Sequence, residues 1–209
     1  MLTDLKKARN GVIAAALGAA LLMGGGTYAL WTTSATSGGG SITAGNMTID
    51  AKEVLAFDTS PDQIHGTAVD IEVGDLTLGS GVGIDLKAFR MVPGDTVALV
   101  FSYDITLEGD NLMADLTLGG VDVTDAKTFL DLTYDLYDIT GDPVVTDGTL
   151  PDSSAMLTTL TAPENGSVVL VIHATFKSET ENTDGAGNAL LDLANSVGMT
   201  LEQVRPATP

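Results

Sequence analysis

The sequence predicts an all-β domain, a sandwich or barrel of about nine strands, placed behind an N-terminal export signal. Three observations lead there. Apolar residues recur at every second position through most of the chain, which is the strand period and not the helical one. Clusters of Gly, Pro, Asn and Asp separate these runs. The first 29 residues have a basic start, an apolar middle and a small-residue end.

The strands are justified in chain order. Met47, Ile49 and Ala51 open the series. Val69, Ile71 and Val73, then Leu76 and Leu78, then Ile84, Leu86 and Ala88 continue it. The clearest run places Val97, Leu99, Phe101, Tyr103, Ile105 and Leu107 on one face, with Thr96, Ser102, Asp104 and Thr106 on the other. Leu112 to Leu118, Leu130 to Leu136 and Val168 to Phe176 alternate in the same way, and Val197, Met199 and Leu201 close the set. Between them, Val92-Pro93-Gly94-Asp95 has Pro at the second position and Gly at the third, as a type II turn requires, because only the third position needs positive φ. Helix is scarce. Thr124 to Phe129 and Ala189 to Ala194 each suit a short turn of helix, and Ser153 to Leu160 reads either way.

At the N-terminus, Lys6, Lys7 and Arg9 precede thirteen uncharged residues, Gly11 to Met23. Gly24-Gly25-Gly26 then breaks the run, and Thr27 and Ala29 stand at the −3 and −1 positions that a signal peptidase reads. Cleavage after Ala29 gives a signal peptide of residues 1–29, a helix in its apolar part, followed by a flexible arm of residues 30–40 and a β-domain of residues 41–209. Thr33-Ser34-Ala35 offers a second small-x-small site. An uncleaved anchor is the competing reading, since Gly11 to Trp31 is uncharged and close to the roughly 20 residues that span a bilayer; membrane contact would then run through the uncleaved signal alone. A pilin-type cut after Gly11 lacks the acidic residue expected soon after it.

Residues 30–209 carry six basic against 27 acidic side chains, a formal charge of −21. Such a field repels nucleic acid and anionic headgroups and keeps an exported chain soluble. With no cysteine in the chain, disulfides, thiolate metal sites and cysteine nucleophiles are all excluded. A domain of this size buries enough surface to do without staples.

The side chains give little chemistry to an enzyme. The two histidines, His65 and His173, lie in a loop-like stretch and inside an apolar strand, with no His-x-x-x-His helix and no Gly-x-Ser-x-Gly elbow. His173 reads as an outward strand position, because Val168, Leu170 and Ile172 hold the opposite face. No cofactor is expected. Calcium is the ion best suited to the oxygen-rich turns Asp138 to Asp142 and Glu179 to Gly185, although neither has EF-hand spacing and a solvated acidic loop explains both.

A resemblance adds to this reading. Ala16 to Met23 followed by Gly24-Gly25-Gly26-Thr27-Tyr28-Ala29, and then Ser41-Ile42-Thr43-Ala44-Gly45-Asn46-Met47-Thr48-Ile49-Asp50, resembles the start of the TasA and camelysin family of bacterial surface proteins. Pro93, Gly94 and Asp95, leading into the strand with Phe101, are similar to the Pro-Gly-Asp turn before a core strand of that family. The resemblance implies a jelly-roll domain, a dedicated alternate-type signal peptidase, and self-association into extracellular biofilm-matrix fibres by strand donation. The donor would be Leu30, Trp31, Thr32, Thr33, Ser34, Ala35 and Thr36. It departs from a regular donor in its poor alternation and in the glycine-rich Ser37 to Gly40 that follows. The family also carries a peptidase label through camelysin, for which this sequence has no matching ligand set. A monomeric secreted domain that binds a protein or glycan is the alternative.

Overall fold

The computed structural model describes residues 32–36, 41–44, 47–62, 66–109, 112–119, 123–124, 126–151, 153–162, 164–178 and 183–204, all within one compact unit, Trp31–Pro209. Among these residues thirteen strands pair in two wholly antiparallel sheets. The first strands are β1 (Thr32–Thr36), β2 (Ser41–Ala44), β3 (Met47–Ala51), β4 (Leu55–Asp58), β5 (Val69–Val73) and β6 (Leu76–Gly83). The two long central ones are β7 (Thr96–Leu107) and β12 (Glu164–Phe176). Between them lie β8 (Met113–Gly119), helix α1 (Ala126–Phe129), β9 (Leu130–Tyr137), β10 (Pro143–Thr149) and β11 (Ala155–Thr161). Helix α2 (Thr183–Ser196) and β13 (Gly198–Val204) end the described chain.

One sheet has four strands in the order β1-β13-β8-β11. The other has nine, in the order β10-β9-β12-β7-β4-β6-β5, with β2 and β3 added beside β7. Strands β3 and β4 lie end to end along β7: Met47–Ala51 pairs with Leu107 to Tyr103, and Leu55–Asp58 with Val100 to Val97. Lys52 sits at the join, its amide donating to the Ser102 carbonyl at 2.9 Å.

The main core is what the alternation predicts. Val97, Leu99, Phe101, Tyr103, Ile105 and Leu107 are all buried, as are Val168, Leu170, Ile172, Ala174 and Phe176 opposite them on β12. Ala114, Leu116 and Leu118 of β8 and Met199 and Leu201 of β13 join the same cluster. The arrangement is sandwich-like and rests on apolar burial, worth roughly 25 cal/mol per Å².

Strands β7 and β12 also depart from simple alternation. From Val97 to Phe101 and from Val168 to Ile172 both faces are buried. Ala98, Val100, Val169 and Val171 point away from the main core into a second cluster with Ile71 of β5, flanked by Leu76 and Leu78 of β6. The β5–β6 hairpin therefore covers the outer face of the nine-stranded sheet. Beyond its cover the outer face becomes polar: Asp104 pairs with Lys52 and accepts from the Ser167 hydroxyl at 2.7 Å. Burial pushes the Asp104 carboxyl up, but the Lys52 and Ser167 contacts outweigh it and hold the group below its usual value.

Four expectations change. There are thirteen strands, not about nine, since β1, β2, β4 and β10 add to the set and, of the stretch 153–160, residues 155–160 belong to strand β11. Ile84 to Ala88 is a turn and not a strand: the Asp85 carboxylate accepts from the Lys87 amide at 3.0 Å, and its carbonyl accepts from Ala88 and Phe89. The Ala189 to Ala194 turn is the second half of a fourteen-residue helix. Residues Thr32–Thr36 of the expected flexible arm are a paired strand.

Candidate functional site: the arm and the last strand

The arm sequence Thr32-Thr33-Ser34-Ala35-Thr36 is rich in β-branched residues, which suit extended backbone. It forms β1, antiparallel to β13 of its own chain, with Thr32 opposite Glu202, Thr33 opposite Leu201, Ser34 opposite Thr200, Ala35 opposite Met199 and Thr36 opposite Gly198. Thr33 and Ala35 thus stand opposite the two residues that β13 contributes to the core, Leu201 and Met199.

Strand β1 is an edge. Beside it, β13 is fully paired on the other side with β8, from Gly198 opposite Gly119 to Val204 opposite Met113. Strand β2 pairs with β3 in the other sheet, Ser41 opposite Asp50 through Ala44 opposite Met47. Within thirteen residues the chain therefore leaves one sheet and enters the other. Ser37 to Gly40, which carry that crossing, lie outside the described residues, as do Leu30 and Trp31 of the expected donor and the expected cleavage residues Thr27 and Ala29.

The Pro93-Gly94-Asp95 turn has the geometry its sequence predicts. Gly94 has φ +100°, and the Asp95 amide donates to the Val92 carbonyl at 3.0 Å. The Asp95 carboxylate closes the loop by accepting from the Val92 amide at 2.7 Å. The turn also extends the β7–β12 ladder by one rung, because Gly94 donates to the Phe176 carbonyl and Phe176 donates back to the Asp95 carbonyl.

His173 is half-buried on the outer face, as expected, and its Nε2 lies 3.1 Å from Oδ2 of Asp135. The other oxygen of Asp135 accepts from the Asp147 amide at 2.7 Å. Asp135 was not foreseen as a partner, although its place on the polar face of β9 is set by the same alternation that buries Leu136. No hydroxyl among the described residues bonds the His173 ring, so no nucleophile–base pair is assembled there; His65 lies outside the described residues.

The Asp138 to Asp142 turn spends its carboxylate on itself. Oδ1 of Asp138 accepts from the Thr140 amide at 2.9 Å, the Thr140 hydroxyl at 2.6 Å and the Asp142 amide at 3.0 Å. Desolvation raises the Asp138 carboxyl, but these donors outweigh it and hold the group below its usual value. Among the described residues no three His or acidic side chains converge to hold a metal. Of the second oxygen-rich stretch, Thr183, Asp184 and Gly185 belong to helix α2 and Glu179 to Asn182 lie outside the described residues.

Comparison with known proteins finds no matching family model, no matching curated protein and no matching solved structure.

Proposed function

We propose that this chain is an exported structural or surface protein of the TasA and camelysin type, with a jelly-roll domain, that assembles into extracellular fibres by donating its N-terminal strand. The observation that carries the reading is the placement of Thr32–Thr36 as an edge strand on β13. A five-residue edge strand is held by a few main-chain hydrogen bonds, each contributing about 0.5–1.5 kcal/mol net. The same bonds are available from the β13 of a neighbouring copy, so exchange loses no pairing and turns a closed monomer into a link of a chain. The acidic surface and the absence of cysteine suit an exported subunit, and the signal-like residues 1–29 suit the route.

Exchange is set against an intramolecular competitor. A tethered arm meets its own β13 at an effective concentration of about millimolar, so the closed form wins in dilute solution. Fibres are expected when the protein is concentrated or when the arm is released before the domain closes. Electron microscopy and sedimentation of the purified protein over a range of concentration and salt test this: fibres that vanish on deletion of residues 30–36 are expected. A monomer that persists at every concentration and salt level would overturn it.

The closed pairing itself favours a second reading, a monomeric secreted binding domain for a protein or glycan, in which β1 is simply the last strand of a finished sheet. Deletion of residues 30–40 then leaves binding intact.

A further inference from the structure

Cations are scarce in this chain, and the fold gathers them. A cleft of about 650 Å³ is lined by Lys52, Lys87 and, from helix α2, Leu191. A neighbouring cleft of about 550 Å³ is lined by Phe89, Arg90 and Met91 and shares Leu86, Lys87 and Leu191 with the first, so the two are continuous. Of the five Lys and Arg among the described residues, three therefore border one groove, whose lining acids among the described residues are Glu53 and Asp85. Asp85 is engaged by its own turn, and Lys52 is paired with Asp104. Lys87 and Arg90 have no carboxylate within ion-pair distance among the described residues; the Arg90 guanidinium meets only the carbonyls of Lys87, Ala88 and Phe89 at 3.3–3.5 Å.

The groove thus offers two cations without a carboxylate partner among the described residues, above an apolar floor, on a molecule that is otherwise acidic. Charge complementarity selects its occupant. A long polyanion would meet the −21 field wherever it left the groove. A short acidic segment carrying one apolar side chain would not, and among the described residues the two edge strands of the nine-stranded sheet each present one. On β10 the exposed Val144 lies between Asp142, just before the strand, and Asp147; on β5 the exposed Val69 is followed by Asp70 and Glu72.

We propose that the groove between helix α2 and the Ile84–Val92 loop is a docking site for a sheet edge of a second copy of this chain. The inference rests on the reading of the chain as a self-assembling subunit and adds a contact separate from the strand donated by the arm. Groove and sheet edge are different surfaces of one subunit, so the contact is head-to-tail and propagates along a fibre instead of closing a dimer.

The test is sedimentation of the purified protein at low ionic strength, comparing K87Q/R90Q with S153E/T161E, which changes net charge by the same amount at exposed positions just before β11 and at its end, in the other sheet. K87Q/R90Q weakens self-association by about fivefold to tenfold, consistent with two partly exposed charge contacts. The control stays within about twofold of wild type, because it alters general repulsion alone. D142N/D147N or D70N/E72N reproduces the K87Q/R90Q loss and names the edge that docks. Equal weakening by the control, or no loss from either edge variant, overturns the proposal. So does capture of a soluble anionic polysaccharide at the groove without self-association. Running the same series on a chain lacking residues 30–36 separates the two ideas: fibres that persist there sink strand donation and leave the groove contact standing, whereas fibres indifferent to K87Q/R90Q sink the groove contact and leave donation standing.

Discussion

The amide of Gly94 donates to the carbonyl of Phe176 at 2.9 Å, and Phe176 returns a bond to the neighbouring Asp95 carbonyl at 2.8 Å. A turn and the end of the longest strand are thereby tied into one ladder, which fixes where β7 starts. Gly94 sits at φ +100° with open space where a Cβ would go. Gly94→Ala therefore costs backbone strain and nothing else, about 1–2 kcal/mol, read as a lower urea midpoint with an unchanged m-value. A midpoint equal to wild type would mean that the turn relaxes without cost.

Ile71 is buried with Ala98, Val100, Val169 and Val171 in the small cluster beneath the β5–β6 hairpin. Ile71→Ala removes the hairpin's main anchor and costs about 2–4 kcal/mol, with the hairpin able to open apart from the rest. Hydrogen exchange is expected to accelerate first in β5 and β6 and least in the paired centre of β7 and β12. Uniform acceleration across all strands would show that the hairpin is not a separate unit.

A close approach holds the same hairpin at its root. A Cβ on Gly81 would lie 2.9 Å from the carbonyl oxygen of Asp58 and 3.0 Å from Cβ of Phe57. Backbone cannot yield as a side-chain tip can, so Gly81→Ala pushes β6 off β4 and costs about 1–3 kcal/mol. Combined with Ile71→Ala its effect is less than additive, because both act by freeing one hairpin. A double-mutant urea series measures this, and strict additivity would sink the common cause.

How far the sequence is legible follows from which forces its pattern records. Strands β7 and β12 could be read because one face is core along their whole length. Their doubly buried halves were visible too, as the unbroken apolar runs Val97 to Phe101 and Val168 to Ile172, but not what covers them, since a hairpin folding over a sheet leaves no local mark in either partner. Ile84, Leu86 and Ala88 alternate by chance; Asp85 between them is a turn former, and its hydrogen bonds decide the conformation. In α2 the glycines Gly185 and Gly187 lower local propensity, while Leu190, Leu193 and Ala194, at helical spacing, with Val197 just past its end, carry the helix through burial. At the candidate site the β-branched composition of Thr32–Thr36 was legible but its ordering against β13 was not, because main-chain pairing of an edge strand is almost independent of side-chain identity.

Asp135 holds two elements at once, His173 on β12 and the Asp147 amide in the irregular part of β10. Asp147 itself has φ +51°, a conformation that Asp tolerates better than most residues. Asp135→Ala leaves the Asp147 amide to water and is expected to cost about 1–3 kcal/mol, whereas His173→Gln, which keeps a hydrogen-bonding group, costs under about 1 kcal/mol. Equal losses in thermal unfolding would mean that the histidine contact and not the amide contact matters.

The Asp138 turn gives the pH prediction its sign. Hydrogen bonds from Thr140 and the Asp142 and Gly141 amides outweigh desolvation and hold the folded-state carboxyl below its usual value. A carboxyl depressed by folding contributes stability that is complete above its unfolded value and is lost as pH falls through its folded value. The whole-protein curve also contains the relief of acidic self-repulsion on protonation, which acts in the opposite direction. The difference between wild type and Asp138→Asn isolates the turn, since self-repulsion is nearly common to both. Urea midpoints are expected to differ by a constant amount from about pH 7 to about pH 5 and to converge as pH falls below about 4. A gap that stays constant down to about pH 2.5 would mean that the charge on Asp138 does nothing that the neutral amide cannot.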